Sequence, residues 1–459
     1  MSRPEHPFLK QVLYNYDIYP KVFLGDRETY VTIQPLGLHA AFGEGREYTL
    51  RIYKVNQSNP KVYPERSGRS ELCVTTDEDG CLRFKAFFEG EGEHYINIYD
   101  DPDAKPKLTL SVYSLNEDMA GRYPQRGDLH MHTCRSDGKE APEIVAANYR
   151  AHGYDFFTIS DHHRYYPSLD AIAAYGNITD FVIVPGEEVH LPLNNVHYVN
   201  FGGSFSVNAL ITPSKNEEGG EDIMRRSLDG NAPDTMTVDE FKAMIEQRAD
   251  SVPRENRSEQ LSFAVMQWIY EQVQAGGGLG IFPHPYWLCQ MMQLPEDYTE
   301  FMYEQAPFDA FEVLGGENIF SHNGFQTAFY YEMKQKGIDR PIVGSTDSHG
   351  STEHNRNALV CSTIVFAHEN SRESLIDSIK AKYSVAVDTI STEYRIVGDF
   401  RLIKYASFLM ENYFPLHDLA CRAEGYYMKQ FVNGDRRAER VLKAMKGQIP
   451  EMLKKYFEV

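Results

Sequence analysis

The residues best suited to chemistry begin in residues 126–138, which read RGDLHMHTCRSDG. His130 and His132 are separated by one residue, so in an extended strand their imidazoles face the same side, about 7 Å apart. Asp137 follows in a polar loop and is a third potential ligand. Imidazole and carboxylate groups grouped in this way are typical of a metal site, although a single HxH motif is a weak signal.

Similar groups recur downstream, each at or near the end of an apolar run that predicts a strand. They are Asp161 and His162, Glu188, His197, His284, Asp347 and His349. The carboxyl ends of parallel strands meet at one edge, so we expect these side chains to converge there. Nitrogen and oxygen ligands without a thiolate favour catalytic Zn, Mn or Fe, and they outnumber the needs of one ion. The sequence therefore predicts two or three divalent ions, some bridged by a carboxylate.

Three regions are expected to position these residues. Residues 1–120 contain short β-branched and aromatic runs separated by turns, which predict a small all-β, sandwich-like domain. Residues 121–391 alternate strands and helices, the α/β pattern of a parallel sheet or barrel, with an insertion at about residues 204–275. Residues 392–459 predict a helical C-terminal extension that packs against the rest.

Composition restricts the function classes. The 459-residue chain has a formal net charge of −20, which argues against binding duplex nucleic acid or an anionic membrane. Its six cysteines include no CxxC pair, as expected of a reduced protein without a disulfide framework. The N-terminal residues lack the apolar core of a signal peptide, and no stretch predicts a membrane span, so a cytoplasmic location is expected.

The ordered motifs GDLHMHT-x-x-SDG, ISDHH, GEEV, VHYVNFG, FPHP and GSTDSH resemble the PHP family, named for polymerase and histidinol phosphatase. The similarity covers roughly residues 122–390, apart from the insertion after Gly203. It implies a distorted (β/α)7 TIM-like barrel that hydrolyses phosphate esters at a trinuclear metal centre. The N-terminal β region and the insertion lie outside this similarity, so neither indicates a substrate.

The resemblance also implies a role for each motif residue. One ion would be held by His130, His132, Glu188 and Asp347, a second by bridging Glu188 with His197 and His284, and a third by Asp137, His162 and His349. The four ligands of the first ion form the expected catalytic set. A slip of one residue, from Glu188 to Glu187, stays open, and the third ion is the least secure of the three.

The expected reaction is hydrolysis of a small phosphorylated metabolite or nucleotide by a metal-bound hydroxide. Metal coordination lowers the pKa of water to about 7, so no Ser or Cys nucleophile is needed. Four residues near the motifs are candidates for binding the substrate phosphate, with surface charge or support of a ligand as the alternatives: Lys139, His163, Arg164 and Arg356. His190, His322 and His354 are expected to be structural or to face solvent.

Two other classes of function remain open at this point. A metal-dependent hydrolase of C–N or C–O bonds would use the same ligand types, because an activated water also attacks carbonyl carbons. A non-catalytic barrel that binds a ligand is the second alternative. The sequence is also compatible with a homo-oligomer.

Overall fold

The computed structural model describes residues 11–37, 39–55, 69–212, 236–289, 291–315, 320–352, 361–389 and 395–459. Its secondary structure is mixed α/β, with several sheets and helices. The chain forms two compact units. The first comprises the described residues of Met1–Tyr123, Phe400–Ala420 and Gly447–Val459, and the second those of Pro124–Asp399 and Cys421–Lys446.

The strands and helices are numbered in chain order. The strands are β1 Tyr16–Tyr19, β2 Val22–Leu24, β3 Arg27–Pro35, β4 Glu47–Lys54, β5 Arg69–Thr75, β6 Leu82–Phe88, β7 Gly92–Tyr99, β8 Leu108–Leu115, β9 Tyr123–Asp128, β10 Phe156–Thr158, β11 Val182–Val184, β12 Gly186–Val189, β13 Tyr198–Phe201, β14 Ile211–Thr212, β15 Met236–Thr237, β16 Leu279–Phe282, β17 Leu288–Cys289, β18 Met291–Met292, β19 Ala310–Leu314, β20 Ile342–Gly344, β21 Cys361–Ala367, β22 Ser384–Asp388, β23 Arg395–Val397 and β24 Phe457–Glu458. The helices are α1 Pro142–Ala151, α2 Tyr166–Tyr175, α3 Val238–Ala249, α4 Arg257–Ala275, α5 Glu296–Gln305, α6 Phe320–Gln335, α7 Arg372–Lys380, α8 Phe400–Asn412, α9 Phe414–Val432, α10 Arg436–Met445 and α11 Gln448–Tyr456. Within the described residues, no helix combines the length and apolar character needed to cross a membrane.

The first unit contains two sheets. The smaller has the strand order β1-β3-β6, and the larger has the order β24-β2-β8-β7-β4-β5. Along β6, every second side chain from Leu82 to Phe88 is buried, as expected of a strand with one face on a core. Strands of both sheets contribute to one hydrophobic core, which includes Val31, Phe84, Leu50, Ile96 and Val112.

A buried histidine in this core makes the stability of the first unit depend on pH. The ring nitrogen Nε2 of His94 lies 2.8 Å from the hydroxyl of Ser114. Burial, with a smaller effect of the Lys54 charge, lowers the pKa of His94 from 6.5 to about 4. The unfolded chain therefore takes up a proton at a higher pH than the folded chain does.

We expect this histidine to destabilise the first unit as the pH falls from 6.5 towards 4, with full stability above 6.5. At 1.36 kcal/mol per pKa unit, the loss approaches about 3 kcal/mol. His94→Gln should flatten this part of the curve in unfolding midpoints measured against pH. The exposed His39→Gln is the control, and an unchanged acid limb in His94→Gln would contradict the assignment.

The second unit contains the two sheets that carry the motifs. One has the order β11-β10-β9-β21-β22-β23, and the other has the order β12-β13-β16-β19-β20. The pairs β9–β10, β10–β11, β16–β19 and β19–β20 are parallel. Strands β12 and β13 pair antiparallel, because they are joined by a short loop without the crossover helix that parallel neighbours need, and β13 also pairs antiparallel with β16.

The sequence predicted a (β/α)7 barrel, but the strand ladders of the described residues form two open sheets and no closed barrel. Two isolated parallel bridges connect residues of these sheets. Met131, just after β9, pairs with Ser348 just after β20, and His162, after β10, pairs with Glu188 in β12. Both bridges involve residues of the predicted metal-binding motifs or their immediate neighbours.

A buried ionic cluster joins α1 to the C-terminal part of α9 within the second unit. The side chain of Arg150 is fully buried, and its Nε donates to Glu424 Oε2 at 2.7 Å. Its Nη1 donates to Asp155 Oδ1 at 3.2 Å and to the carbonyl of Tyr154 at 2.9 Å. This cluster holds α9 against the α1–β10 segment that precedes the His162 motif.

Candidate metal centre

Strand β9 leads directly into the two histidines of the HxH motif. Leu129 and Met131 are fully buried in apolar cores, so the alternation of the extended chain turns His130 and His132 to the other side. The amide of His132 donates to the carbonyl of Ser348 at 2.9 Å, and the amide of Asp347 donates to the carbonyl of His130 at 2.8 Å. These backbone bonds hold the Asp347 segment beside the two imidazoles.

Glu188 on β12 lies at the centre of the site. Both its carboxylate oxygens are buried, and among the described residues neither receives a hydrogen bond of acceptable geometry. Six imidazoles surround them: His130, His132, His162 and His190 approach Oε2 at 3.5, 3.5, 2.7 and 3.6 Å, and His197 and His284 approach Oε1 at 2.7 and 3.5 Å. A buried carboxylate without hydrogen bonds is costly unless a positive charge satisfies it.

The distances between these groups match those between ligands of one ion. Two atoms that bind a tetrahedral metal at about 2.1 Å lie about 3.4 Å from each other. His130 Nε2 is 3.3 Å from Asp347 Oδ1 and 3.5 Å from Glu188 Oε2. His132 Nε2 is 2.9 Å from the same Asp347 oxygen. These residues therefore fit a divalent cation, which would satisfy the unpaired Glu188 oxygens.

Two further groups adjoin this one. His284 Nε2 and His197 Nδ1 face Oε1 of Glu188, on the other side of its carboxylate. Asp137 Oδ2 lies 3.2 Å from His349 Nε2 and 3.5 Å from His162 Nε2. The structure thus brings all nine predicted ligands together, in groups that overlap: His130 adjoins both Asp347 and Glu188, and His132 adjoins both Asp347 and Asp137. Their roles as metal ligands stay a prediction.

The choice between Glu187 and Glu188 follows from the strand. The two side chains point to opposite faces of β12. The Glu187 carboxylate accepts hydrogen bonds from Ser206 Oγ at 2.8 Å, Asn208 Nδ2 at 2.9 Å and the amide of Val207 at 2.5 Å. Gly186, the residue before these two glutamates, leaves no room for a side chain, because a Cβ there would clash with the hydroxyl of Thr158. Glu187 therefore holds the segment after β13, while Glu188 faces the imidazoles.

Asp161, a candidate ligand in the sequence, instead supports the loop that carries Asp137. Its carboxylate accepts hydrogen bonds from the amide and hydroxyl of Thr133 at 2.7 and 2.6 Å and from Ser136 Oγ at 2.5 Å. This anchoring fixes the loop next to the imidazoles. The side chain of Asp137 remains 54% exposed, so its group of ligands faces outward.

Sequence reasoning missed two residues of the site. Glu312 on β19 is fully buried and lies 3.1 Å from His130 Nδ1, where it orients the ring, and it also accepts the amide of His284 at 3.2 Å. The sequence did offer a signal for Glu312, because it is the acidic residue within an otherwise apolar strand. His190 was expected to be structural or solvent-facing, but its Nε2 lies 2.8 Å from His162 Nδ1. Its position directly after β12 could have indicated this.

The residues predicted to bind the substrate phosphate differ in their exposure and in their distance from the imidazoles. Lys139 is exposed, and Arg164 and His163 are partly buried. The His163 ring centroid lies 4.9 Å from that of His190, at the edge of the imidazole group. Arg356 and His354 lie outside the described residues. His322 is buried and accepts the amide of Leu288 at 2.8 Å, a structural role as expected.

Two site residues have an unusual backbone. The φ angles of His284 and Asp347 are +27° and +47°, a region that residues other than glycine rarely adopt. Such conformations cost energy and persist where the surrounding structure holds them, often at functional sites. Here the strained positions carry His284, which faces Glu188, and Asp347, which faces His130 and His132.

The charges of the site shift the pKa values of its members. Burial opposes ionisation of Glu188, but the surrounding histidines hold its pKa well below the usual range. Burial lowers the pKa of His132 to about 4, with the charge of His162 adding to the effect. Burial would also lower the pKa of His162, but Glu188 and Asp137 raise it to about 11. A metal ion binds neutral imidazole, so ions and protons compete for this site.

The sequence matches no protein-family model and no curated protein. Among solved structures, the chain is similar to a two-domain protein from Bacteroides vulgatus described as containing a predicted PHP-like metal-dependent phosphoesterase. The TM-score is 0.38 and the identity 14%, and the alignment covers 58% of this chain and 65% of the other. This chain thus spans less than two thirds of the length of that protein.

Two further structures have lower TM-scores. A candidate metal-dependent phosphoesterase from Bifidobacterium adolescentis gives a TM-score of 0.31 at 19% identity, covering 50% of this chain and 89% of the other. An amidohydrolase from Chromobacterium violaceum, with bound sulfate and no metal, gives 0.30 at 16% identity, covering 50% and 89%.

Proposed function

We propose that this protein is a metal-dependent hydrolase that cleaves a phosphate ester at a centre of two or three divalent ions. The observation that supports it most is Glu188, whose buried carboxylate lies among six imidazoles without a hydrogen bond from the described residues. Zn, Mn and Fe suit this set of nitrogen and oxygen ligands.

Ions bound here would supply a water ionised near neutral pH and positive charge for the phosphoryl oxygens. The residues would divide the remaining tasks. His130, His132 and Asp347 would join Glu188 on one ion, His197 and His284 would join it on a second, and Asp137, His162 and His349 would hold a third. Glu312 would keep the His130 ring oriented through its contact with Nδ1.

A phosphate ester is the proposed substrate because three adjacent cations suit a group that carries several anionic oxygens. The exposed Asp137 side chain places the third group of ligands nearest to solvent, where a substrate would enter. A small phosphorylated compound is favoured over duplex nucleic acid or a membrane surface because the net charge of the chain is −20. A cytoplasmic location and a homo-oligomer remain part of the proposal.

We also propose that the two sheets of the second unit are parts of one distorted seven-stranded barrel. The two bridges would complete a ring in the order β9, β10, β12, β13, β16, β19 and β20. The site would then lie at the carboxyl end of the ring, where barrel enzymes place their active sites.

Metal removal tests the function. The purified protein is analysed for Zn, Mn and Fe, stripped with a chelator, and assayed on phosphate monoesters, phosphate diesters, amides and carboxylic esters. We expect phosphate ester hydrolysis that disappears in the stripped protein and returns with Zn²⁺ or Mn²⁺. Turnover of amides or carboxylic esters alone would favour the C–N or C–O hydrolase. Bound metal without turnover would favour a ligand-binding barrel.

A further inference from the structure

His190 lies inside the imidazole group, although none of the three proposed ligand sets needs it. Its ring centroid is 4.8 Å from that of His162 and 4.2 Å from that of His197. We propose that His190 is a positioning residue that accepts a hydrogen bond from Nδ1–H of His162 and so holds that ring in place for the third ion. This inference rests on the proposed metal centre.

The direction of the hydrogen bond from His162 supports this role. Two acceptors lie near His162 Nδ1, namely Glu188 Oε2 at 2.7 Å and His190 Nε2 at 2.8 Å. Of these two contacts, only the one with His190 has the geometry of a hydrogen bond. The Glu188 oxygens receive no hydrogen bond from the described residues. The Glu188 carboxylate therefore stays available to ions.

The tautomer of His162 follows from its other nitrogen. Nε2 faces Asp137 and would bind the third ion through its lone pair, so the proton of a neutral ring must sit on Nδ1. His190 Nε2 then accepts the hydrogen bond from Nδ1–H of His162, and the neutral His190 ring carries its own proton on Nδ1. Partners of this kind hold the ring of a ligand in place, and their loss typically weakens metal binding about 10- to 100-fold.

A chain of polar contacts fixes His190 itself. Its amide donates to Asn208 Oδ1 at 3.2 Å, and Asn208 Nδ2 donates to Glu187 Oε2 at 2.9 Å. Asn208 lies in a short helical turn after β13, in the insertion that is absent from the motif pattern. The insertion therefore connects, through Glu187 and His190, to one of the three ligand groups.

The test compares Zn²⁺ binding to the stripped full-length protein, its His190→Ala and His190→Gln variants, and His152→Ala, which removes an exposed imidazole. Equilibrium dialysis with elemental analysis gives the number and affinity of bound ions. We expect His190→Ala to lower the affinity for one ion about 10- to 100-fold and to leave the affinities for the others unchanged. His190→Gln should recover much of the loss, because its amide oxygen can accept the same proton.

Several outcomes would overturn the inference. One is unchanged Zn²⁺ binding in His190→Ala, and another is an equal loss of affinity for every ion. A third is a His190→Gln variant that binds Zn²⁺ no better than His190→Ala, which would indicate that His190 acts through packing alone. Thermal unfolding of each variant shows whether it is folded. Wild-type protein that binds no divalent ion would overturn the proposed function, and the inference with it. Wild-type binding with an unaffected His190→Ala would overturn the inference alone.

Discussion

Glu188→Gln is expected to lower phosphate ester hydrolysis by about a hundred- to a thousandfold, the scale of losing a principal electrostatic group at an active site. The amide is nearly the same size as the carboxylate but carries no negative charge. It would also turn an NH₂ group towards imidazoles that approach within 2.7 Å. Ions that share this bridge should therefore be lost together.

Elemental analysis, kinetics and circular dichroism check this result, and Glu187→Gln is the matched control. Glu187 is the neighbouring carboxylate, equally buried, but it faces Ser206 and Asn208. The control should keep the ions that Glu188 bridges and lose stability, because its NH₂ group would face donors. Full metal content and turnover in Glu188→Gln would rule out the proposed centre.

Arg150→Met is expected to lower the free energy of unfolding by about 3–5 kcal/mol, the usual effect of removing one partner from a buried ionic cluster. The change leaves the carboxylates of Asp155 and Glu424 buried without the guanidinium that now contacts both. Methionine fills much of the volume of the arginine stem, so the effect arises mainly from unpaired charge.

Arg248→Met is the control for Arg150→Met. Arg248 contacts both carboxylate oxygens of Glu271 at 2.9 and 2.8 Å, but the pair is exposed. An exposed pair typically contributes about 0–1 kcal/mol. Urea unfolding gives the free energy of unfolding of both variants. Adding Glu424→Met to Arg150→Met should recover part of the loss, and equal small losses in the two single variants would contradict the argument.

Local sequence patterns predicted which side chains lie together better than they predicted the connections between the strands. His130 and His132 could be placed because alternation in a strand is a local property, whereas the choice between Glu188 and Glu187 stayed open until the structure showed the partners of each. Sheet order depends on pairing between distant segments, so the antiparallel β12–β13–β16 arrangement was not predicted. His190 was missed for a similar reason, since its contact with His162 crosses 28 residues.

The capping box before α3 shows the opposite case. Thr237 and Glu240 have the three-residue spacing of a capping box in the sequence, and both reciprocal hydrogen bonds are present. Glu312 lies between these extremes. It could be assigned to a strand from sequence, but its contact with His130 requires two strands that are 182 residues apart to meet.

The two isolated bridges of the second unit have a mechanical consequence. The Met131–Ser348 bridge is flanked by His130, His132 and Asp347, and the other bridge is formed by His162 and Glu188 themselves. Each bridge between the sheets thus lies next to groups suited to a cation. Ions bound there would act as cross-links between segments that are distant in sequence, so the loading of metal would tighten the scaffold as well as equip it for reaction.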